Sequence, residues 1–319
     1  VRIARSLGQV EPAACRASLF LLWQSLQFHA VLLCYLLARR FLHRVELAGW
    51  QGTAGLAALF VLSTPMLRAV RFSQPALYTL GAALVVVLWS DRHPVLAGLS
   101  IAVAGYLKVY PAVLLLPALV TGRKRVVGWT VAWVAVIGAA SFAAPGGREY
   151  WFSFLQLLRS FPEPLAFRDN SVPGLVRNTA RVLLIGPPSL WAARLIQIGL
   201  ALWLVRRMIV RGTRRGCADA SVWHGNVADA LCLGLLLSPT VWEHYFVFVV
   251  PAIVLVWRTS LRERPITVGL ATALTSLVPV FDVFPLSYHR LAGLVLLVAA
   301  NPLWAEDRPT GSRGAARGS

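Results

Sequence analysis

The sequence predicts an all-α integral membrane protein, a polytopic bundle of roughly nine to eleven membrane helices, some broken or short, with one large non-cytoplasmic loop. Three observations predict it. Hydrophobic residues make up 57% of the 319-residue chain and charged residues only 14%, against about 25% charged in a soluble globular domain. Apolar runs recur along nearly the whole length, and mean hydropathy is +0.66. Basic residues gather in the short loops between those runs, and alternate loops carry the excess.

The runs fall near 18–37, 50–67, 76–90, 94–107, 109–120, 126–144, 189–205, 227–241, 245–257, 265–281 and 290–303. Several are shorter than the ~20 residues that one straight spanning helix needs. The pair 94–107 and 109–120 flanks Lys108 and Pro111, and reads either as a tight helical hairpin or as one broken helix lining a cavity. Residues 145–188 form the large loop. Its aromatics Trp151, Phe152, Phe154, Phe161 and Phe167 predict short helices lying in the membrane interface. Residues 1–303 read as one membrane domain, and the Gly/Arg/Ser stretch 304–319 as a disordered cytoplasmic tail.

One alternating set of loops holds Arg39, Arg40, Arg44, Arg92, Arg123, Lys124, Arg125, the arginines from 206 to 215, Arg258, Arg262, Arg264 and those of the tail. This larger set is assigned to the cytoplasm. The opposite set includes Arg68, Arg71, Arg148, Arg159, Arg168, Arg177, Arg181 and Arg290. The net charge of +18 is therefore spread over loops rather than one soluble face, which excludes nucleic acid as the partner and points to membrane lipids. A basic complement that is almost all arginine fits a GC-rich bacterial genome, and hence a bacterial plasma membrane. Cys15, Cys34, Cys217 and Cys232 form no CxxC pair and no metal-ligand spacing. No metal or cofactor is implied. The chain opens on Val1 without a short signal peptide, so the start codon is unusual or the N-terminus is missing.

Ionisable groups among apolar residues point to function. Lys108, in GYLKVYP, is either a snorkelling lysine or a phosphate ligand. In the long loop, Arg168, Arg177 and Arg181 either anchor to headgroups or grip a phosphorylated substrate with their guanidinium forks. SPTVWEHYF (238–246) interrupts an apolar run with Pro239, Glu243 and His244. Those two residues are candidates for catalysis or sugar binding, but as neighbours they point in different directions on a helix. Gln74 opens a span, as a cap or as a sugar ligand. Asp169, Asn170 and Trp242 complete a polar cavity facing outward, beside apolar helices.

Four blocks then resemble one family in its own order. RFSQPALYTLGAALVVVLW (71–89) keeps Gln74 of a Gly-Gln-x-Asn opening. PVLAGLSIAVAGYLKVYPAVLLLPALVTGRKR (94–125) matches an Ala-Gly…Lys-x-x-Pro segment at Ala97, Gly98, Lys108 and Pro111. NSVPGLVRN (170–178) follows a loop end loosely at Ser171 and Gly174. LLLSPTVWEHYFVFVVP (235–251) matches Ser-Pro-x-x-Trp-x-His at Ser238, Pro239, Trp242 and His244. The chain resembles the polyprenol-phosphate-mannose-dependent α-1,2-mannosyltransferases, C-type integral membrane glycosyltransferases, over residues ~18–300 of the sequence.

The resemblance implies transfer of a hexose, mannose in that family, from a polyprenyl-phosphate-sugar donor, with inversion. The acceptor would be a lipid-linked or cell-envelope glycan on the non-cytoplasmic face. It also implies an acidic catalytic residue in a first loop that would fall before Val1. On that expectation either an N-terminal segment is missing from the 319 residues or the chain is a truncated, inactive copy, and Glu11 is the one acid ahead of the first span. An inactive binding or scaffold protein and a lipid or sugar-lipid transporter are the competing readings. A transporter would favour repeated halves and midplane acids, and neither is visible.

Overall fold

The computed structural model describes residues 12–159, 169–183, 190–216 and 219–303, and within them it is helical without a β-strand. Arg168, Glu11, Phe161, Phe167 and the tail 304–319 lie outside the described residues. The first helix, α1, runs Pro12–Arg44, past the expected boundary near residue 37. Its last turn stays helical because the arginines there find partners. The Arg40 guanidinium lies 5.2 Å from the Trp89 ring, and Arg44 donates to the Leu88 carbonyl. His43 and Arg44 in the last turn also complement the helix dipole.

The run expected at 50–67 is two helices, α2 (Trp50–Val61) and α3 (Thr64–Arg71), bent by 42°. The Ser63 hydroxyl caps α3 by accepting from the Met66 N–H, and Pro65 has no N–H to continue the ladder back into α2. Then come α4 (Ala76–Trp89) and α5 (Pro94–Leu107). A 3-10 turn, Tyr110–Leu114, leads into α6 (Leu115–Val120). Arg123 Nε lies 2.8 Å from Asp91 Oδ1, which brings the two outer ends of the 94–120 segment together. The segment is therefore a hairpin, with Lys108 at its turn. Next is α7 (Lys124–Ala143), which crosses α5 at backbone contact: a Cβ on Gly98 would sit 2.7 Å from Trp129 Cβ.

The long loop holds α8 (Gly147–Arg159) and α9 (Val172–Val182). After it come α10 (Leu190–Arg215) and α11 (Ala220–Leu237). A second 3-10 turn, Glu243–Val249, then feeds α12 (Val250–Ser260). The chain closes with α13 (Pro265–Thr272), a π turn (Ala273–Leu277) and α14 (His289–Ala300). Among the described residues three helices, within α1 and at α7 and α11, are long and apolar enough to cross a membrane singly; the bent pair α2–α3 adds a fourth, and the other apolar helices are shorter.

Burial separates the interior from the periphery. In α11 every residue from Val222 to Leu236 is buried. On α1, α7 and α10 large apolar side chains such as Phe20, Leu22, Val131, Leu195 and Leu202 stay exposed, as lipid-facing helices require. Two ends can be told apart by their contacts. At the lower end, His224 meets Arg258 and Asn301 meets the Gly225 carbonyl. At the upper end, Gln24 meets Ser73, Asp169 meets Val241 and Asn178 meets Tyr288. The lower end carries the loops of the larger basic set.

Residues 206–215, expected as part of a basic loop, are instead the final turns of α10. Arg207 and Arg211 are buried there against Asp229, at 3.2 and 3.0 Å, and Asn301 donates to Asp229 at 2.6 Å. Asp229 is fully buried within α11 and was not singled out from sequence.

Candidate functional site

The upper end is organised by the break between α11 and α12. Pro239 stops α11, and the Ser238 hydroxyl turns over onto the Thr240 carbonyl at 2.6 Å. The chain then enters the 3-10 turn, whose threefold period stacks residue i over i+3. Tyr245 and Phe248 share one face, and both touch Tyr110, at 5.4 and 4.9 Å between ring centroids. Glu243 and Phe246 share another, on which Phe246 lies 5.7 Å from the Arg290 guanidinium. Glu243 and His244 therefore serve different sides, as neighbours must.

On one side stands Lys108. Helix α5 ends at Leu107, and Lys108 turns to an extended conformation. Its Nζ comes within 3.5 Å of the Tyr245 ring centroid, a cation–π contact. Among the described residues no carboxylate pairs with it. Burial lowers its pKa to about 8, so it is charged at pH 7. His244 packs against Tyr245 at 4.8 Å. Burial first, and the Lys108 charge second, push its pKa to about 4, so its ring is neutral. Its Nε2 is buried with no hydrogen-bond partner. An orphaned ring nitrogen beside an ammonium with donors to spare is a ready site for an oxyanion.

Asp169 fastens the long loop to this break. Its Oδ1 accepts from the N–H groups of Val241 at 2.8 Å and Ser171 at 3.1 Å, and its Oδ2 accepts from the Ser171 hydroxyl at 3.0 Å. The Asn170 N–H donates to the Val241 carbonyl at 2.9 Å. Gly174 permits this closeness, since a Cβ there would lie 2.7 Å from the Asp169 carbonyl oxygen. Both carboxylate oxygens of Asp169 are thus engaged by protein. Arg177 lies within electrostatic reach of Asp169 and Tyr288. Arg181, one turn further along α9, is exposed, as is Trp242. Gln74 folds back onto the Phe72 carbonyl at 3.3 Å.

On the other side, Glu243 is 6% exposed. Its Oε2 lies 3.3 Å from Arg68 Nε, an ion pair without hydrogen-bond geometry. Arg290 lies within electrostatic reach of the same carboxylate. It is fully buried, and it donates to the Thr275 and Val278 carbonyls around the π turn at 2.8 and 3.0 Å. Arg68 and Arg290 entered the sequence reading only as basic residues of the smaller set. The available signal was position: both sit at the edges of apolar runs rather than in open loops.

An apolar groove of about 240 Å³ runs between α5, the Tyr110–Leu114 turn with α6, and α7, lined by Ile101, Gly105, Tyr106, Val109, Leu115 and Val134 among others. Tyr106 bridges it by donating to the Val134 carbonyl at 2.7 Å. Among the described residues no group of three or more His, Cys, Asp or Glu converges as a metal site.

Residues 15–239 match Glycosyltransferase family 87. The matched region contains Gln74, Lys108 and the 169–181 segment and stops just before Trp242. A polyprenol-phosphate-mannose-dependent alpha-(1-2)-phosphatidylinositol mannoside mannosyltransferase of Mycolicibacterium smegmatis (strain ATCC 700084 / mc(2)155) is 26% identical over 263 residues, covering 76% of this chain and 58% of its own length. The protein of the same description from Mycobacterium tuberculosis (strain ATCC 25618 / H37Rv) is 27% identical over 192 residues, covering 58% of this chain and 42% of its own length. The chain thus spans about half the length of the curated relatives it matches. No solved structure matches.

Proposed function

The chain belongs to Glycosyltransferase family 87, and from that premise we propose that it transfers a hexose, mannose by analogy with its relatives, from a polyprenyl-phosphate donor. The acceptor is a lipid-linked or cell-envelope glycan, and the upper end faces the non-cytoplasmic side of a bacterial plasma membrane. The observation that carries this reading is the joining of two unlike sites. The Lys108–Tyr245–His244 cluster offers a cation and an orphaned ring nitrogen, and the apolar groove is lined by Val109, the residue that follows Lys108 in the chain. An isoprenoid phosphate has the same two halves.

In the reaction, an acceptor hydroxyl oxygen bonds to the sugar C1 while the C1–O bond to the lipid phosphate breaks, and the electron pair leaves with the phosphate. Lys108 and a protonated His244 Nε2 stabilise the charge that develops there. Which ring nitrogen carries the proton is inferred from this role. The hydroxyl proton passes to a base. His244 donates to the phosphate, so of the two candidates at 243–244 the base is assigned to the Glu243 carboxylate, paired with Arg68. Arg177 lies within electrostatic reach of Asp169, and it is assigned to the donor phosphate with Arg168 and Arg181. Gln74, Asp169, Asn170 and Trp242 are assigned to the sugar or acceptor side, Asp169 acting through the segment it fastens.

The test is donor binding and transfer by the purified protein in nanodiscs, using radiolabelled polyprenyl-phosphate-mannose and membrane acceptors. Loss of one charge-assisted hydrogen bond costs about 1.5–3 kcal/mol, so Lys108→Ala should weaken donor binding roughly 10- to 150-fold. Unchanged donor affinity in both Lys108→Ala and His244→Ala would remove the reading.

A further inference from the structure

We propose that the lower end holds a small monovalent anion of chloride's size against Arg211, in a cavity where α10, α11, α12 and the end of α14 meet. The site stands apart from the chemistry of the upper end. Arg207 is 9% exposed, Arg211 3%, and Asp229 is fully buried. Arg207 Nε and Arg211 Nη2 pair with the same oxygen of Asp229, at 3.2 and 3.0 Å. Among the described residues no other carboxylate pairs with either arginine. Two buried cations thus face one buried anion, and one positive charge is left over where solvent cannot screen it.

The leftover charge has an open donor. Arg211 donates from Nη1 to the Asn226 side-chain oxygen at 2.6 Å, and from Nη2 to Asp229 and the Pro302 carbonyl. Its Nε is buried with no hydrogen-bond partner. Facing that Nε is Gly225 of α11, where a Cβ would lie 2.9 Å from Nε and 3.0 Å from Cδ and Cζ. Glycine therefore keeps the approach to the guanidinium clear. A cavity of about 20 Å³ adjoins it, lined by Arg211, Ser221, Gly225, Thr259 and Asn301 among others.

One occupant of water's size class needs ~10–15 Å³, so the cavity takes a single small species and excludes phosphate or sulfate. The leftover charge selects an anion over a neutral occupant, because an anion answers both the unpaired N–H and the uncompensated guanidinium. A cation is disfavoured. Asp229 does not line the cavity, and its second oxygen is taken by the Asn301 amide, which also donates to the Gly225 carbonyl. Ser221 lies in the first turn of α11, whose dipole adds positive potential on the same side. An anion here clasps α10 to α11, α12 and the 301–303 segment, so its binding stabilises the lower end.

The test is thermal unfolding of the purified protein in detergent, over about 1–200 mM chloride with gluconate holding ionic strength constant. The parent midpoint should rise with chloride; bromide should replace it and sulfate should not. Gly225→Ala puts a methyl group in front of Nε and should abolish the response. Thr259→Leu fills the cavity from α12 and should do the same, which keeps the test in hand if Gly225→Ala does not fold. Asp229→Asn removes the competing negative charge, so the chloride concentration for half the effect should fall roughly tenfold. A midpoint indifferent to chloride would mean that the cavity holds water and would overturn the proposal. So would an equal response to sulfate, which is general screening, or an undiminished response in the cavity-filling variants. A chloride response unchanged or weakened in Asp229→Asn would place the anion elsewhere and overturn it too.

Discussion

Replacing Asp169 should separate the two jobs of a buried carboxylate. Asp169 accepts two backbone N–H groups, from Val241 and Ser171, and one hydroxyl. Asp169→Ala leaves both N–H groups buried without an acceptor, at about 1–3 kcal/mol each, so the fold should lose roughly 2–6 kcal/mol. Asp169→Asn keeps an oxygen for the two N–H groups and should cost under about 1 kcal/mol.

The pH dependence has a definite sign. Burial is the largest influence on Asp169 and raises its pKa, outweighing the hydrogen bonds from Val241 and Ser171 and the nearby Arg177 charge. A carboxyl whose folded pKa lies above its unfolded value stabilises fully below the unfolded pKa and loses that contribution as pH rises through the folded one. Lowering pH from neutral should therefore tighten the parent protein relative to Asp169→Asn. Unfolding in detergent, followed by tryptophan fluorescence with hydrogen exchange at the Val241 amide, reads both effects. If Asp169→Ala is as stable as Asp169→Asn, and the Val241 amide is equally protected in both, the fastening is not made.

Three further outcomes follow from other parts of the molecule. Gly105 has nothing within 4 Å of where its Cβ would lie, so Gly105→Phe should fold normally, occupy the groove and weaken long-chain polyprenyl phosphate while sparing inorganic phosphate; equal loss of both ligands in equilibrium binding would contradict the groove assignment. Asp229→Ala strands Arg207 and Arg211 as uncompensated buried charges and should cost about 3–5 kcal/mol of stability, read as the unfolding midpoint in detergent. With Lys108 near pKa 8, affinity for a dianionic isoprenoid phosphate should decline as pH rises from 7 to 9 and flatten in Lys108→Arg, because the arginine does not deprotonate there; a pH-titrated binding assay checks it.

The readable and unreadable parts of the fold divide on physical lines. Hydropathy showed the apolar segments, because each helix carries its own apolar residues. Lys108 at a hairpin turn and the interruption at Pro239 were legible because proline and charge are local punctuation. The bend at Ser63 was written in Ser63 and Pro65 but lay inside an otherwise continuous apolar run. Arg207 and Arg211 read as loop residues in the sequence, because arginines on a helix look like loop arginines until the carboxylate opposite them, Asp229, is known. Arg68, Glu243 and Arg290 are far apart in the sequence and meet only when α3, the 243–249 turn and α14 converge. Residue type and spacing cannot report that meeting. The same holds for Asp169, whose type suggested a sugar ligand and whose position makes it a fastening.

The central claim is that an isoprenoid phosphate sits with its head at Lys108 and His244 and its tail in the adjoining groove. Photocrosslinking tests this most directly, using a polyprenyl phosphate with a diazirine on the isoprene unit next to the phosphate, followed by peptide mapping. The account predicts labelling within residues 101–115 and 241–249, reduced by Lys108→Ala and by competing unlabelled polyprenyl phosphate. Labelling concentrated at the lower end, around Arg207, Arg211 and Asp229, or labelling indifferent to Lys108, would contradict it.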